Sequence, residues 1–86
     1  MMSLDERMMR LIAVGASIAA NCQPCLQSNA AKALESGAGE LEIAEAIWVG
    51  KMIRRGAASK MDEFAASLNQ VVPLTASLPN EGCECT

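Results

Sequence analysis

Apolar residues recur at helical spacing from Leu4 to Leu68, and the run is punctuated twice, around residues 21–24 and at residues 37–39. Those interruptions divide the chain into helices. Ser3-Leu4-Asp5-Glu6 reads as a capping box, with Ser3 as N-cap and Glu6 at the third helical position. Leu4, Met8, Leu11, Ile12, Ala16 and Ala19 then form one apolar stripe, ending near Asn21. Pro24 opens a second helix, because its missing N–H would be unpaired in a first turn anyway. Leu26, Ala30, Ala33 and Leu34 are its stripe, and Gly37 stops it as a left-handed residue would. Gly39-Glu40-Leu41-Glu42 begins a third helix, with carboxylates where the helix dipole favours them. Leu41, Ala44, Ile47, Trp48 and Met52 form its face. Ile43 and Val49 lie off that face, so this helix is apolar on more than one side. Gly50 and Gly56 predict a bend or a division, with a separate helix over residues 57–68, and Arg54, Arg55 and Lys60 read as a solvated face.

The fold class expected is all-α, as a small helical bundle over residues 1–68 followed by an extended arm at 69–86. One Trp, one Phe and no Tyr leave little to build a sheet. Of the 86 residues, 51% are hydrophobic and 20% charged, more apolar surface than so small a monomer hides. A homo-oligomer is therefore expected, with Trp48 in the core or an interface and the methionines as pliable packing. A net charge of −3 offers no basic stripe for nucleic acid. The absence of His excludes His-based dyads and His-ligated metals. Leu11 to Ala20 is too short to cross a bilayer. Asp5 and Glu6 spoil it as a signal peptide, so the expectation is a cytoplasmic chain with no membrane partner. There, four cysteines point to redox chemistry or metal before structural disulfides.

Cys22-Gln23-Pro24-Cys25 is the chemical centre of the sequence. Three residues apart at a helix start, two thiols lie within disulfide reach, and the free N–H groups there stabilise a thiolate. Three readings of the pair stand: a redox couple, half of a thiolate metal site completed by Cys83 and Cys85, or buried inert cysteines.

The run Leu11-Ile12-Ala13, Ala20-Asn21-Cys22-Gln23-Pro24-Cys25-Leu26, Ala30, Ala33-Leu34, Gly37-Ala38 and Glu42-Ile43-Ala44-Glu45-Ala46 resembles the core of the carboxymuconolactone decarboxylase family. Its AhpD-like alkylhydroperoxidase branch is the nearest in pattern. The resemblance implies helices interlocked between subunits in dimers, trimers or hexamers. It also implies peroxide reduction without a cofactor, in which Cys25 becomes a sulfenic acid, Cys22 condenses with it, and an external dithiol resets the pair. Family members that reduce peroxides carry a glutamate at the position of Arg10 and a histidine at that of Asn29. Asn29, one turn after Cys25, has the reach to hydrogen-bond the sulfur, but an amide does not accept and return a proton. Arg10 either favours a thiolate or is an exposed charge beside Asp5 or Glu6, and Glu6 is the candidate replacement for the family's glutamate. Degeneration into an oligomeric scaffold is the alternative outcome of these losses. Lactone decarboxylation is set aside, since that branch generally lacks the C-x-x-C pair.

Cys83-Glu84-Cys85 forms a second thiol pair near the end of the arm. Its disulfide ring would be small and easily reduced, and Glu81 and Glu84 disfavour its thiolates by like charge. It reads as an electron shuttle to Cys22 and Cys25, as a soft-ion ligand, or as a tail without a role.

Overall fold

The computed structural model describes residues 3–68, so Cys83, Cys85 and the arm at 69–86 lie outside the described residues. Those described form an all-α arrangement of α1 (Glu6–Ala19), α2 (Gln23–Glu35) and α3 (Glu40–Ser67). Helix α1 lies between the others, packing on both, while α2 and α3 touch little.

The start of α1 differs from expectation. Its N-cap is Asp5, whose carboxylate accepts the Met8 N–H at 2.8 Å. Ser3 precedes the helix. An aspartate caps as well as a serine and adds negative charge at the dipole's positive end. Glu6 does not close the expected box, because it pairs one turn on with Arg10 at 2.7 Å.

Both inter-helix turns are Schellman motifs. At the end of α1, Asn21 takes a left-handed conformation (φ 57°), and its N–H donates to Ile18 O. The Cys22 N–H donates to Ser17 O at 2.9 Å. At the end of α2, Gly37 plays the same part (φ 95°), with its N–H on Leu34 O and the Ala38 N–H on Ala33 O at 2.9 Å. Each motif closes orphan carbonyls and reverses the chain sharply. Helix α3 starts with the Glu42 carboxylate reaching back to the Gly39 N–H at 3.0 Å, and the same carboxylate pairs with Arg7 of α1 at 2.6 Å.

Helix α3 is one continuous helix of 28 residues, undivided at Gly50 and Gly56. Gly50 is a contact point. A Cβ there would collide with Gly15 O and lie 2.8 Å from the Ile18 Cβ. A Cβ on Gly15 would come within 3.1 Å of Ala46 O. The two backbones thus cross without side chains between them. Gly56 has open space around it.

The core is small. Val14, Ala33 and Ala38 are buried, with Leu11, Leu26, Ala30, Ile43, Ala46 and Ile47 packed against them. The expected stripes of α1 and α3 are largely not this core. Leu4, Met8 and Ile12 are exposed, as are Leu41, Trp48 (62%) and Met52. The inward residues of α3 are Ile43, Ala46, Ile47 and Gly50. Beyond Gly50, every described residue of α3 is exposed, Phe64 at 63%. Among the described residues no helix is long and apolar enough to cross a membrane.

Two stability predictions follow from this packing. Gly50→Ala forces α1 and α3 apart and costs about 1–3 kcal/mol, whereas Gly56→Ala, in open space, gains about 0.5–1 kcal/mol of helix propensity. Urea midpoints of the two variants should move in opposite directions. The Glu42 carboxyl is held below its ordinary 4.5, chiefly by the Gly39 N–H and then by Arg7. Protonation is therefore harder in the folded chain, and the stabilisation is complete above that ordinary value and lost as pH falls through the lower folded one. From about pH 5 down to about pH 3 the wild type should lose more stability than Glu42→Gln.

Candidate functional site

The Asn21 turn makes Cys22 a shared residue. Its N–H completes the end of α1, and its side chain caps the start of α2, where Cys22 Sγ accepts the Cys25 N–H at 3.3 Å. Pro24 occupies the first turn of α2, where no partner for its nitrogen is needed. The two cysteines are joined as a disulfide, with Cα atoms 5.2 Å apart. Cys22 is partly buried and Cys25 exposed. On reduction, the sulfur of Cys22 is the one left facing a backbone N–H at the positive end of a helix, which favours its thiolate.

Beside Cys22 lies a shallow pocket of about 150 Å3, lined by Ser17, Ile18, Asn21, Leu26 and Arg54. The Arg54 guanidinium donates to Asn21 Oδ1 at 3.0 Å and to Ile18 O at 3.4 Å. Arg54 was expected on a solvated face, but it ties α3 to the turn that carries Cys22. No local pattern marks it, since its partners lie at |i−j| of 33 and 36. A larger cavity of about 400 Å3 runs between α1 and α3, lined by apolar residues such as Leu11, Ile12, Val49 and Ile53. Neither cysteine lines it.

The auxiliary candidates meet one another and stop short of the sulfurs. Arg10 binds Glu6 through Nε and donates through Nη1 to Asn29 Oδ1 at 3.1 Å. Asn29 Nδ2 donates to the Cys25 carbonyl at 2.9 Å. Both ends of the Asn29 amide are thus engaged, and the expected bond to sulfur is replaced by one to a backbone oxygen, the better acceptor. Arg10 lies beside Glu6, as one of its two expected readings had it, and through Asn29 it also ties α1 to α2. Glu6 is held at its far side. Among the described residues no three His, Cys, Asp or Glu side chains are grouped to hold a metal. The other proposed ligands, Cys83 and Cys85, fall outside them.

Asn21 is the pivot of this geometry. Asn21→Ala puts a residue that strongly disfavours the left-handed region at that turn and removes an acceptor from Arg54, so a loss of about 1–2 kcal/mol is expected. Asn21→Gly relieves the backbone and should keep the larger part of the stability. Thermal melts of the two variants check the order.

The family model of the carboxymuconolactone decarboxylase family matches residues 2–69. A curated relative, "Uncharacterized protein 4 in cox locus" of Paracoccus denitrificans, is 39% identical over 56 residues. That stretch is 65% of this chain and 50% of the relative, so the chain spans about half the relative's length. No solved structure matches the chain. With the match covering all three helices and both turns around the cysteine pair, the chain belongs to the carboxymuconolactone decarboxylase family.

Proposed function

We propose that the chain is a thiol–disulfide redox protein whose working pair is Cys22 and Cys25. The observation that carries this reading is the position of Cys22, its sulfur set against the Cys25 N–H at a helix start while Cys25 stays exposed. An external thiolate attacks the exposed Cys25 sulfur and forms a mixed disulfide. The Cys22–Cys25 bond breaks, and Cys22 departs as a thiolate held by the backbone N–H. A second external thiolate then releases Cys25, so one external dithiol becomes a disulfide and the core pair gains two electrons and two protons. Low leaving-group basicity speeds the first step.

Peroxide reduction, as in the AhpD-like branch, is the finer possibility within the same chemistry. It needs a proton delivered to the departing oxygen, and general acid–base help of this kind is worth roughly 10²–10⁴-fold. The Arg10 and Asn29 contact puts the two relay positions side by side, but a guanidinium and an amide do not shuttle protons. Exchange is therefore the stronger activity and peroxide turnover the weaker one.

We also assign the functional form to a homo-oligomer. The exposed apolar face of α3 beyond Gly50 and the apolar groove beside α1 support this. The electron donor is an external dithiol.

Three experiments test these readings. Mild oxidation and reduction by dithiothreitol should interconvert the Cys22–Cys25 disulfide and dithiol, followed by alkylation and mass spectrometry. Slow alkylation of both cysteines with no intramolecular disulfide overturns the redox reading. Peroxide consumption should fall below about 10⁴ M⁻¹s⁻¹ and rise roughly 10²-fold in the double variant Arg10→Glu with Asn29→His, which places an acid and an imidazole in contact. Light scattering should give a multiple of the 9.0 kDa chain mass at micromolar concentration, and a stable monomer would refute the assembly.

A further inference from the structure

Cys22 stands between two helix ends of opposite sign. Its N–H closes the end of α1 on Ser17 O, and its sulfur opens α2 against the Cys25 N–H. The carbonyl end of α1 disfavours negative charge on that sulfur and the N–H end of α2 favours it, so the two dipoles offset each other in part. Helix α1 has no basic residue in its own last turn. Arg54 of α3 supplies the missing cation, with its guanidinium on Ile18 O at 3.4 Å and on Asn21 Oδ1 at 3.0 Å, the latter on the residue next to Cys22.

Arg54 and Cys22 line the same pocket of about 150 Å3, and the other residues around it, Ser17, Ile18, Asn21, Gln23 and Leu26, carry no charge. None of the ion pairs among the described residues engages Arg54, so no carboxylate there cancels it. We infer that Arg54 is a positioning residue for the exchange reaction, its fixed charge holding Cys22 as the leaving thiolate. This rests on the redox reading of Cys22 and Cys25. A neutral donor would brace the Asn21 turn as well, so the charge is what this role adds to the brace.

An external dithiol supplies the electrons. Its thiolate bonds to Cys25 Sγ, the Cys22–Cys25 bond breaks, and the electron pair of that bond goes to Cys22 Sγ. The new negative charge lies at the pocket that Arg54 borders, and Cys22 then takes a proton from solvent. The donor's second thiol gives up its proton and attacks the donor's own sulfur, which releases Cys25 as a thiolate that is protonated in turn. The donor ends as a disulfide and the core pair as a dithiol. A positive charge near the departing sulfur lowers its basicity, and a thiol of lower pKa leaves faster. Arg54 is exposed, so water and salt screen part of its field and the effect is modest.

Two variants separate charge from brace. Arg54→Gln keeps a donor for Asn21 and loses the charge, while Arg54→Lys keeps the charge and loses the planar fork. The reduced full chain and both variants are alkylated with iodoacetamide from about pH 5 to about pH 10, with each cysteine followed separately by mass spectrometry. The Cys22 midpoint should rise by about half a unit or more in Arg54→Gln and stay near the wild-type value in Arg54→Lys. At a pH above these midpoints, the equilibrium against dithiothreitol should shift roughly 3-fold towards the disulfide in Arg54→Gln, the counterpart of that half unit. An unmoved Cys22 midpoint in Arg54→Gln overturns the role. So does an equal rise in both variants, which marks a brace without a charge effect. Where Arg54→Gln does not fold, Arg54→Met is the second neutral variant, with the same rise expected and the same flat profile fatal. If dithiothreitol does not open the Cys22–Cys25 disulfide of the wild type, the redox reading fails and the role of Arg54 with it. A flat profile over working disulfide chemistry overturns the role alone.

Discussion

The left-handed turn at Asn21 is the constraint on which the site depends. It lets the backbone end α1 and restart as α2 with Cys22 as the hinge residue. Two backbone hydrogen bonds close α1, the Cys22 sulfur opens α2, and Arg54 braces the turn from α3. A helix that ran on through residue 22 would have its N–H groups consumed internally, and neither sulfur would meet a free one. The reactivity assigned to Cys22 is therefore a product of backbone geometry before any acid or base is considered.

Around that turn, the hydrophobic effect is only partly satisfied within one chain. Buried residues are few and small, and the close crossing at Gly15 and Gly50 uses glycine to bring two helices together without bulky side chains. The large apolar residues Trp48, Met52, Ile53, Met61 and Phe64 of α3 are all exposed in the single chain. A long helix with an exposed apolar face gains little by itself and a great deal from a second surface.

Charge replaces apolar packing where α1 meets its neighbours at its N-terminal end. Arg7 binds Glu42 of α3, and Arg10 links Glu6 to Asn29 of α2. The second of these chains occupies the positions that the peroxide-reducing relatives give to a glutamate and a histidine. Here the pair holds two helices together, with no member free to move a proton. The contact is structural, and the exchange chemistry proposed for Cys22 and Cys25 makes no demand on it, needing a good leaving thiolate instead.

Much of this was legible from the sequence. Pro24, Gly37 and Gly39 are strong local signals, and they marked α2, its end and the start of α3 correctly because their causes lie within a turn of the backbone. The placement of Cys22 and Cys25 at a helix start was readable for the same reason. The apolar periodicity was less decisive. Both α1 and α3 are apolar on two sides, so spacing alone could not choose between Ile12 and Val14, or between Trp48 and Ile43, as the inward residues. The tertiary structure made that choice through the glycine crossing, which fixes how each helix is rotated. It also decided the roles of Arg10, Asn29 and Arg54, whose partners sit on other helices. Local propensity acts over a few residues, and contacts between helices are set by how three rods pack, a quantity that no single stretch of sequence contains.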